Sequence, residues 1–264
     1  MTYDNILLEQ DDSVATLTIN RPEKLNGLDV RTVEEMLNAV QKVRDDDAVR
    51  ALIITGAGRG FSSGADLSAG GSGGGTSGRP DAGKVLETHF NPLLENMMAL
   101  NVPIITAVNG PAAGAGCSIA LFGDFVICAE SAYFLQAFVN IGLVPDVGST
   151  WLLPRVIGRA RALEMMMLGE KVPAEKALDW GMVYRIVPDA ELMDAASSLA
   201  RRFASGPTRA YALIRQGIRD CMDKPLSEGL RAERQNQMHA GRTGDFAEGV
   251  QAFLQKRKAE FKGA

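Results

Sequence analysis

The chain has 264 residues, 46% of them hydrophobic, which is enough to bury one large core and excludes a chain disordered throughout. Its formal net charge of −4 argues against a general nucleic-acid binder, because affinity for phosphate backbones comes mainly from accumulated Lys and Arg. No apolar run reaches the roughly 20 residues that span a bilayer, and Met1 to Gln10 lacks a basic segment followed by an apolar one. These features predict a soluble cytoplasmic protein with no membrane partner.

Ile6-Leu7-Leu8 and the alternating run Val14 to Ile19 predict two strands, and the Asp11-Asp12-Ser13 turn signal between them predicts a hairpin. Asp29 is placed to cap a helix whose apolar positions Val33, Met36, Leu37, Val40 and Val43 recur at helical spacing. Arg50 to Thr55 then reads as a short buried strand. Strand, helix and strand in this order predict a right-handed crossover and a parallel sheet. Gly56-Ala57-Gly58-Arg59-Gly60 departs from the spacing of a dinucleotide fingerprint and is followed by Phe61-Ser62-Ser63-Gly64 instead of a helix. The stretch from Ala69 to Pro80 is dominated by glycine and small polar residues, a composition expected of a mobile loop or flap.

A helix is predicted from about Lys84 to Leu100, with Val85, Phe90, Leu93, Leu94 and Met97 inward. Ile104 to Val108 reads as a buried strand. It leads through Asn109-Gly110-Pro111-Ala112-Ala113-Gly114 into Ala115-Gly116-Cys117-Ser118, the start of a buried helix. A helix start without bulky side chains exposes unpaired backbone N–H groups that can hold negative charge. Small residues there also permit close helix–sheet packing. Further on, Asp124 to Ala129 and Ala132 to Phe134 read as strand. Gly142 to Gly148 reads as a loop closed by Ser149 or Thr150 as a helix cap. Helices are expected at 161–168, 174–180, 192–204, 209–222, 226–238 and 247–261, with a strand at 183–187. The cysteines Cys117, Cys128 and Cys221 have no paired spacing and predict neither a disulfide framework nor a metal site. The basic residues Lys256, Arg257, Lys258 and Lys262 fit either a solvated helix face or a contact to a phosphorylated small molecule.

Phe61-Ser62-Ser63-Gly64-Ala65-Asp66-Leu67 and, about 45 residues on, Asn109-Gly110-x-Ala112-x-Gly114-x-Gly116 resemble the enoyl-CoA hydratase/isomerase (crotonase) family. Asn20-Arg21-Pro22, Lys24-Leu25-Asn26, Leu153-Pro154-Arg155 with Gly158, and Phe253-x-x-Lys256-Arg257 look like the same family, so the match runs almost end to end. The resemblance implies an α/β fold with a repeated ββα spiral core and a C-terminal α-helical region. We divide it at 1–195, core with active site, and 196–264, oligomerisation region. It implies self-association as trimers or hexamers. It also implies no prosthetic group, the substrate being carried as a coenzyme A thioester. By the same resemblance, the backbone N–H groups of Ala65 and Ala115 form an oxyanion hole. Leu25, Ser63, Ala65, Asp66 and Leu67 line the coenzyme, and Lys256 reaches its phosphates, from this chain or a neighbouring subunit.

Hydratases of the family carry two glutamates, and the matching positions here are Ser118 and Phe138, neither of which transfers a proton usefully at neutral pH. The remaining acid–base candidate is Asp146, whose position matches a catalytic aspartate in several isomerases of the family. Its apolar loop is expected to raise the carboxylate's proton affinity. The alternative for Asp146 is a turn or cap residue shortly before Ser149. Among subfamilies the chain is most similar to the ring 1,2-epoxyphenylacetyl-CoA isomerases of phenylacetate breakdown, which also shift enoyl-CoA double bonds. The resemblance therefore implies isomerisation through an enolate with Asp146 as proton shuttle. Hydration of 2-enoyl-CoA is the alternative within the family. Thioester hydrolysis at Ser118 is the alternative of another class, and it would need His89 or His239 as base.

Overall fold

The computed structural model describes residues 3–67, 73–74 and 80–264, so the expectation for the glycine-rich 69–80 stretch falls almost entirely outside the described residues. The alternating N-terminal runs fold into the expected antiparallel hairpin of β1 (Ile6–Asp11) and β2 (Val14–Ile19). From β2 onward the sheet is parallel, through β3 (Ala51–Gly56), β4 (Ile104–Val108), β6 (Phe125–Ala129) and β9 (Arg185–Val187). Every residue of β3 and β4 is buried, as continuous apolar runs require in a sheet covered on both faces.

The residues that follow the large sheet build a second, smaller one. β5 (Pro111–Ala113) pairs in parallel with β7 (Tyr133–Leu135), and β8 (Val172–Pro173) closes the other edge of β7. The segment just after β3 joins by isolated bridges, Ser62 with Ala112 and Ala65 with Leu28. Each spiral turn thus gives one strand to the large sheet and a short segment to the small one, then a helix: β4, β5 and α3 (Ala115–Leu121), then β6, β7 and α4 (Ser149–Leu168). This is the expected repeated ββα spiral. The short strands were not separable in the sequence, where Ala132 to Phe134 reads as an extension of the strand before it.

Asp29 caps α1 (Val30–Asp45) by accepting the Thr32 N–H at 2.8 Å. The predicted 84–100 helix is α2, helical at Gly83–Val85, widened to a π turn at Leu86–Phe90, and helical again to Ala99. α4 is interrupted at Gly158, whose φ of 76° is not helical, so it consists of two helices that meet at a kink. After α5 (Ala174–Asp179), α6 (Leu192–Ala204) packs along β3, β4 and β6. The boundary drawn at 195/196 falls inside α6, so the outer helical region starts with α7 (Thr208–Cys221), followed by α8 (Leu226–Ala240) and α9 (Gly244–Leu254). α9 stops earlier than expected because Lys256 turns to a φ of 53° and Arg257 folds back onto Glu248. Arginines join this region to the core. Arg215 pairs with Asp124 at 2.7 Å and donates to the Leu100 carbonyl at the end of α2, and Arg219 donates to Met98 O at 2.8 Å.

The packing of α3 on the 60s loop depends on a missing side chain. A Cβ on Gly116 would lie 2.6 Å from Ser62 Cβ and 2.7 Å from Ser62 O. Gly116→Ala is expected to destabilise the fold by about 1–3 kcal/mol, as overpacking of a close-packed interior does. Gly229→Ala on α8, whose Cβ would meet only Cys221 Sγ at 3.9 Å, is expected to cost nothing. Urea denaturation of the two variants side by side checks both.

Candidate active site

Two backbone segments meet where β3 and β4 end. Gly64, at φ 91°, lies so close to the second segment that a Cβ would be 2.7 Å from Ala113 O and 3.3 Å from the Ala115 nitrogen. Only glycine fits that approach. On the first segment the Leu28 N–H donates to Gly64 O (2.8 Å) and the Asp66 N–H to Leu28 O (3.0 Å), which turns the Ala65 N–H away from its own ladder. On the second, Gly114 at φ 51° starts α3, and its own N–H is taken up by Leu135 O at 2.8 Å. The N–H groups of Ala65 and Ala115 donate to no acceptor among the described residues. The two residues expected to supply oxyanion donors therefore lie on segments in close contact at Gly64.

The first segment is held from below by Asn26, which is fully buried. Its Oδ1 accepts the Arg21 N–H (2.9 Å), and its Nδ2 donates to Ala57 O (2.8 Å) and Gly60 O (2.7 Å). Arg21 Nη2 pairs with both Asp29 (3.0 Å) and Asp66 (3.1 Å), which ties the α1 cap to the 60s loop. The sequence carries Arg21 and Asn26 as parts of a family pattern, with no role legible for either.

Beside Ala65 is a recess of about 380 Å³ lined by Lys24, Gly27, Ser63, Ala65, Asp66 and Leu67. Four of the residues expected to line the coenzyme are in this wall. The fifth, Leu25, is attached to it through its carbonyl, which accepts the Ser63 N–H at 2.9 Å. Leu67 is 69% exposed, an apolar side chain open to a ligand. Lys256 is not brought there within the chain. Two residues on, Lys258 lines a different recess with Asp12, Ser13 and Arg50, at the starts of β2 and β3. A six-residue strand separates those starts from the Ala65 end by roughly 20 Å.

Asp146 lies in the loop before α4. Val147 and Gly148 follow it in left-handed conformations, φ 49° and 73°. Its backbone oxygen accepts the Ser149 N–H at 3.1 Å, so the backbone forms a turn, but its carboxylate caps nothing: Oδ1 is buried without a hydrogen-bond partner among the described residues. Burial raises the carboxyl to about 7 from its ordinary 3.8. Ser149 is not the expected cap. It is the first residue of α4, and its hydroxyl turns inward to Ser118 Oγ at 2.5 Å. Ser118 is 1% exposed and Phe138 7%. Among the described residues no histidine is hydrogen-bonded to Ser118. His89 lies on α2 between Thr88 and Glu34, and His239 is exposed on α8, so a hydrolytic serine is not assembled. Burial pushes the Cys117 and Cys128 thiols up to about 12, which leaves them as packing groups. Among the described residues no cluster of His, Cys, Asp or Glu could hold a metal ion, and no helix is long and apolar enough to cross a membrane.

The model of the enoyl-CoA hydratase/isomerase family matches residues 9–264. The chain belongs to the enoyl-CoA hydratase/isomerase family. It is 46% identical to the 1,2-epoxyphenylacetyl-CoA isomerase of Escherichia coli K12 over 258 residues, 98% of each chain. It is 40% identical to a probable enoyl-CoA hydratase of Rhodobacter capsulatus over the whole of both chains. The crystal structure of an enoyl-CoA hydratase from Bacillus anthracis has a TM-score of 0.90 and 31% identity, covering 99% of this chain and 100% of that one. Family membership makes the protein an enzyme of that class. The relatives include isomerases and hydratases, so the choice between the two reactions rests on the residues of this site.

The raised carboxyl of Asp146 has a consequence for stability. The unfolded chain loses this proton near its ordinary 3.8, whereas the folded chain keeps it to about 7. Stability at this residue is therefore undiminished below about pH 4 and falls as the pH rises to about 7. Asp146→Asn removes the penalty. Relative to the wild type, the variant is expected to gain on the order of 3 kcal/mol between those limits. Denaturation midpoints across that pH interval measure the gain, and parallel curves for the two proteins would contradict the burial of the charge.

Proposed function

We propose that the protein is an acyl-CoA isomerase in which Asp146 is the one residue that moves protons. The observation that carries this reading is a single carboxylate, buried and raised to about 7, in a site where Ser118 and Phe138 occupy the positions at which hydratases of the family carry glutamates. A group with that proton affinity takes and returns protons near neutral pH.

In a 3-enoyl-CoA, Asp146 removes a proton from the carbon next to the thioester carbonyl. The electron pair moves onto the carbonyl oxygen, where the Ala65 and Ala115 N–H groups stabilise the enolate, and the same carboxyl returns the proton to the far end of the former double bond. Donors that need no rearrangement as the charge develops are worth about 3–4 kcal/mol each in other enzymes. The same pair of elements serves the rearrangement of a 1,2-epoxyphenylacetyl-CoA to its oxepin-CoA, the substrate class suggested by the Escherichia coli relative. In this reading the substrate arrives as a coenzyme A thioester, with Leu25, Ser63, Ala65, Asp66 and Leu67 against the coenzyme and Lys256 of a neighbouring subunit at its phosphates.

Self-association as a trimer or hexamer belongs to the same proposal. It is supported by the large apolar side chains left open on the outer helices, among them Ile218 (64%), Leu226 (77%) and Phe253 (82%). Ser118 and Phe138 at the two positions implied for hydratase glutamates favour isomerisation over hydration.

Asp146→Asn is expected to lower the turnover of a 3-enoyl-CoA by about 10²–10⁴-fold. In the wild type, kcat/KM should rise with pH as one group deprotonates, with a midpoint near the raised value of about 7. Near-normal turnover by the variant removes the proposal.

A further inference from the structure

A buried chain of polar side chains runs beneath the Asp146 loop, and the proton shuttle does not by itself use it. Ser118 lies on α3, one turn past Ala115. Its Oγ is 3.2 Å from Gly114 O, 3.3 Å from Asp146 O and 2.5 Å from Ser149 Oγ. Gln136 Nε2 donates to Ser149 Oγ at 3.0 Å. All three side chains are 1% exposed or less.

The donor inventory gives the chain a direction. The Gln136 amide can only donate through Nε2, so Ser149 Oγ accepts from it and its own proton is available to Ser118 Oγ. Ser118 then directs its single proton to a carbonyl, either that of Asp146 or that of Gly114. With the Ser149 N–H, the Asp146 carbonyl is within reach of two donors, one from each of two helices.

That carbonyl belongs to a turn that needs holding. Val147 is β-branched and sits at φ 49°, a conformation that costs about 1–3 kcal/mol and persists only where the surroundings fix it. The same serine hydroxyl faces Gly114, whose carbonyl precedes the Ala115 N–H. One side chain therefore touches both the loop that carries the carboxylate and the turn that carries an oxyanion donor.

We propose that Ser118, backed by Ser149 and Gln136, is a positioning unit that sets the Asp146 carboxylate against the Ala115 N–H. The inference rests on the isomerase reading. None of its three residues lines the coenzyme recess, so its loss misaligns the base and the oxyanion donor without weakening the hold on the thioester's carrier.

Steady-state isomerisation of a 3-enoyl-CoA by Ser118→Ala, Ser149→Ala, the double variant and Asp146→Asn tests it. Each single serine variant is expected to lose about 10–100-fold in kcat, with KM within about threefold of the wild type. The double variant should be no slower than the slower single, because the hydroxyls act in one chain. Ser149→Ala breaks the middle link without touching α3, and it carries the test should Ser118→Ala not fold. Single variants with wild-type kcat, losses that multiply, or losses appearing in KM alone would overturn the inference. Combined with an inactive Asp146→Asn, those results would leave the isomerase reading standing. An active Asp146→Asn would overturn that reading and this inference with it.

Discussion

The site depends on two stretches of backbone lying against each other with nothing between them. Gly64 and Ala113–Ala115 approach so closely that a single methyl group on Gly64 would collide with the Ala113 carbonyl. The approach is imposed by the fold. The bridges of Ser62 to Ala112 and Leu28 to Ala65 bring the chain after β3 alongside the small sheet, and the packing of Gly116 on Ser62 fixes α3 there. Side chains such as Arg21 and Asn26 then hold the loop from behind by ionic and hydrogen-bonded contacts, all to groups with little access to water. The result is a pair of donors that belong to the backbone itself, braced from behind by buried side chains. Such donors stabilise developing charge without reorganising.

Against this fixed half stands one movable proton. Asp146 acquires its basicity from desolvation alone, with no neighbouring charge needed to explain it. The arrangement asks little of the rest of the site. In the proposed reading a hydroxyl network at Ser118 and a phenylalanine at 138 stand where the resemblance implies glutamates in hydratases. In the same reading the two backbone donors hold the enolate, and Ser118 and Phe138 in place of glutamates narrow what is done with it.

Much of this was legible in the sequence because it rests on local signals. Continuous apolar runs marked β3 and β4, Asp29 marked the start of α1, and the 192–204 helix has the bounds its periodicity predicts. The Gly/Ala turn marked a place where backbone groups are left bare. What the sequence did not disclose depends on long-range contacts. β5 and β7 are three residues each, too short to carry a period of two, and exist because they pair with one another. Ser149 reads as a cap, yet it turns to a serine 31 residues earlier in the chain, and no local pattern encodes that partner. Lys256 lies on a basic tail whose helical periodicity runs on to 261, whereas the ion pair of Arg257 with Glu248 accompanies a turn out of the helix.

The central claim is that one buried carboxylate and two backbone donors shift bonds within the acyl group and do not add water to it. The most direct measurement is the mass of the product formed from a 3-enoyl-CoA thioester, with 2-enoyl-CoA as a parallel substrate. A product of unchanged mass is expected from the first, and no hydrated product from the second. Conversion of 2-enoyl-CoA to a product heavier by one water, at a rate comparable with double-bond migration, would contradict it.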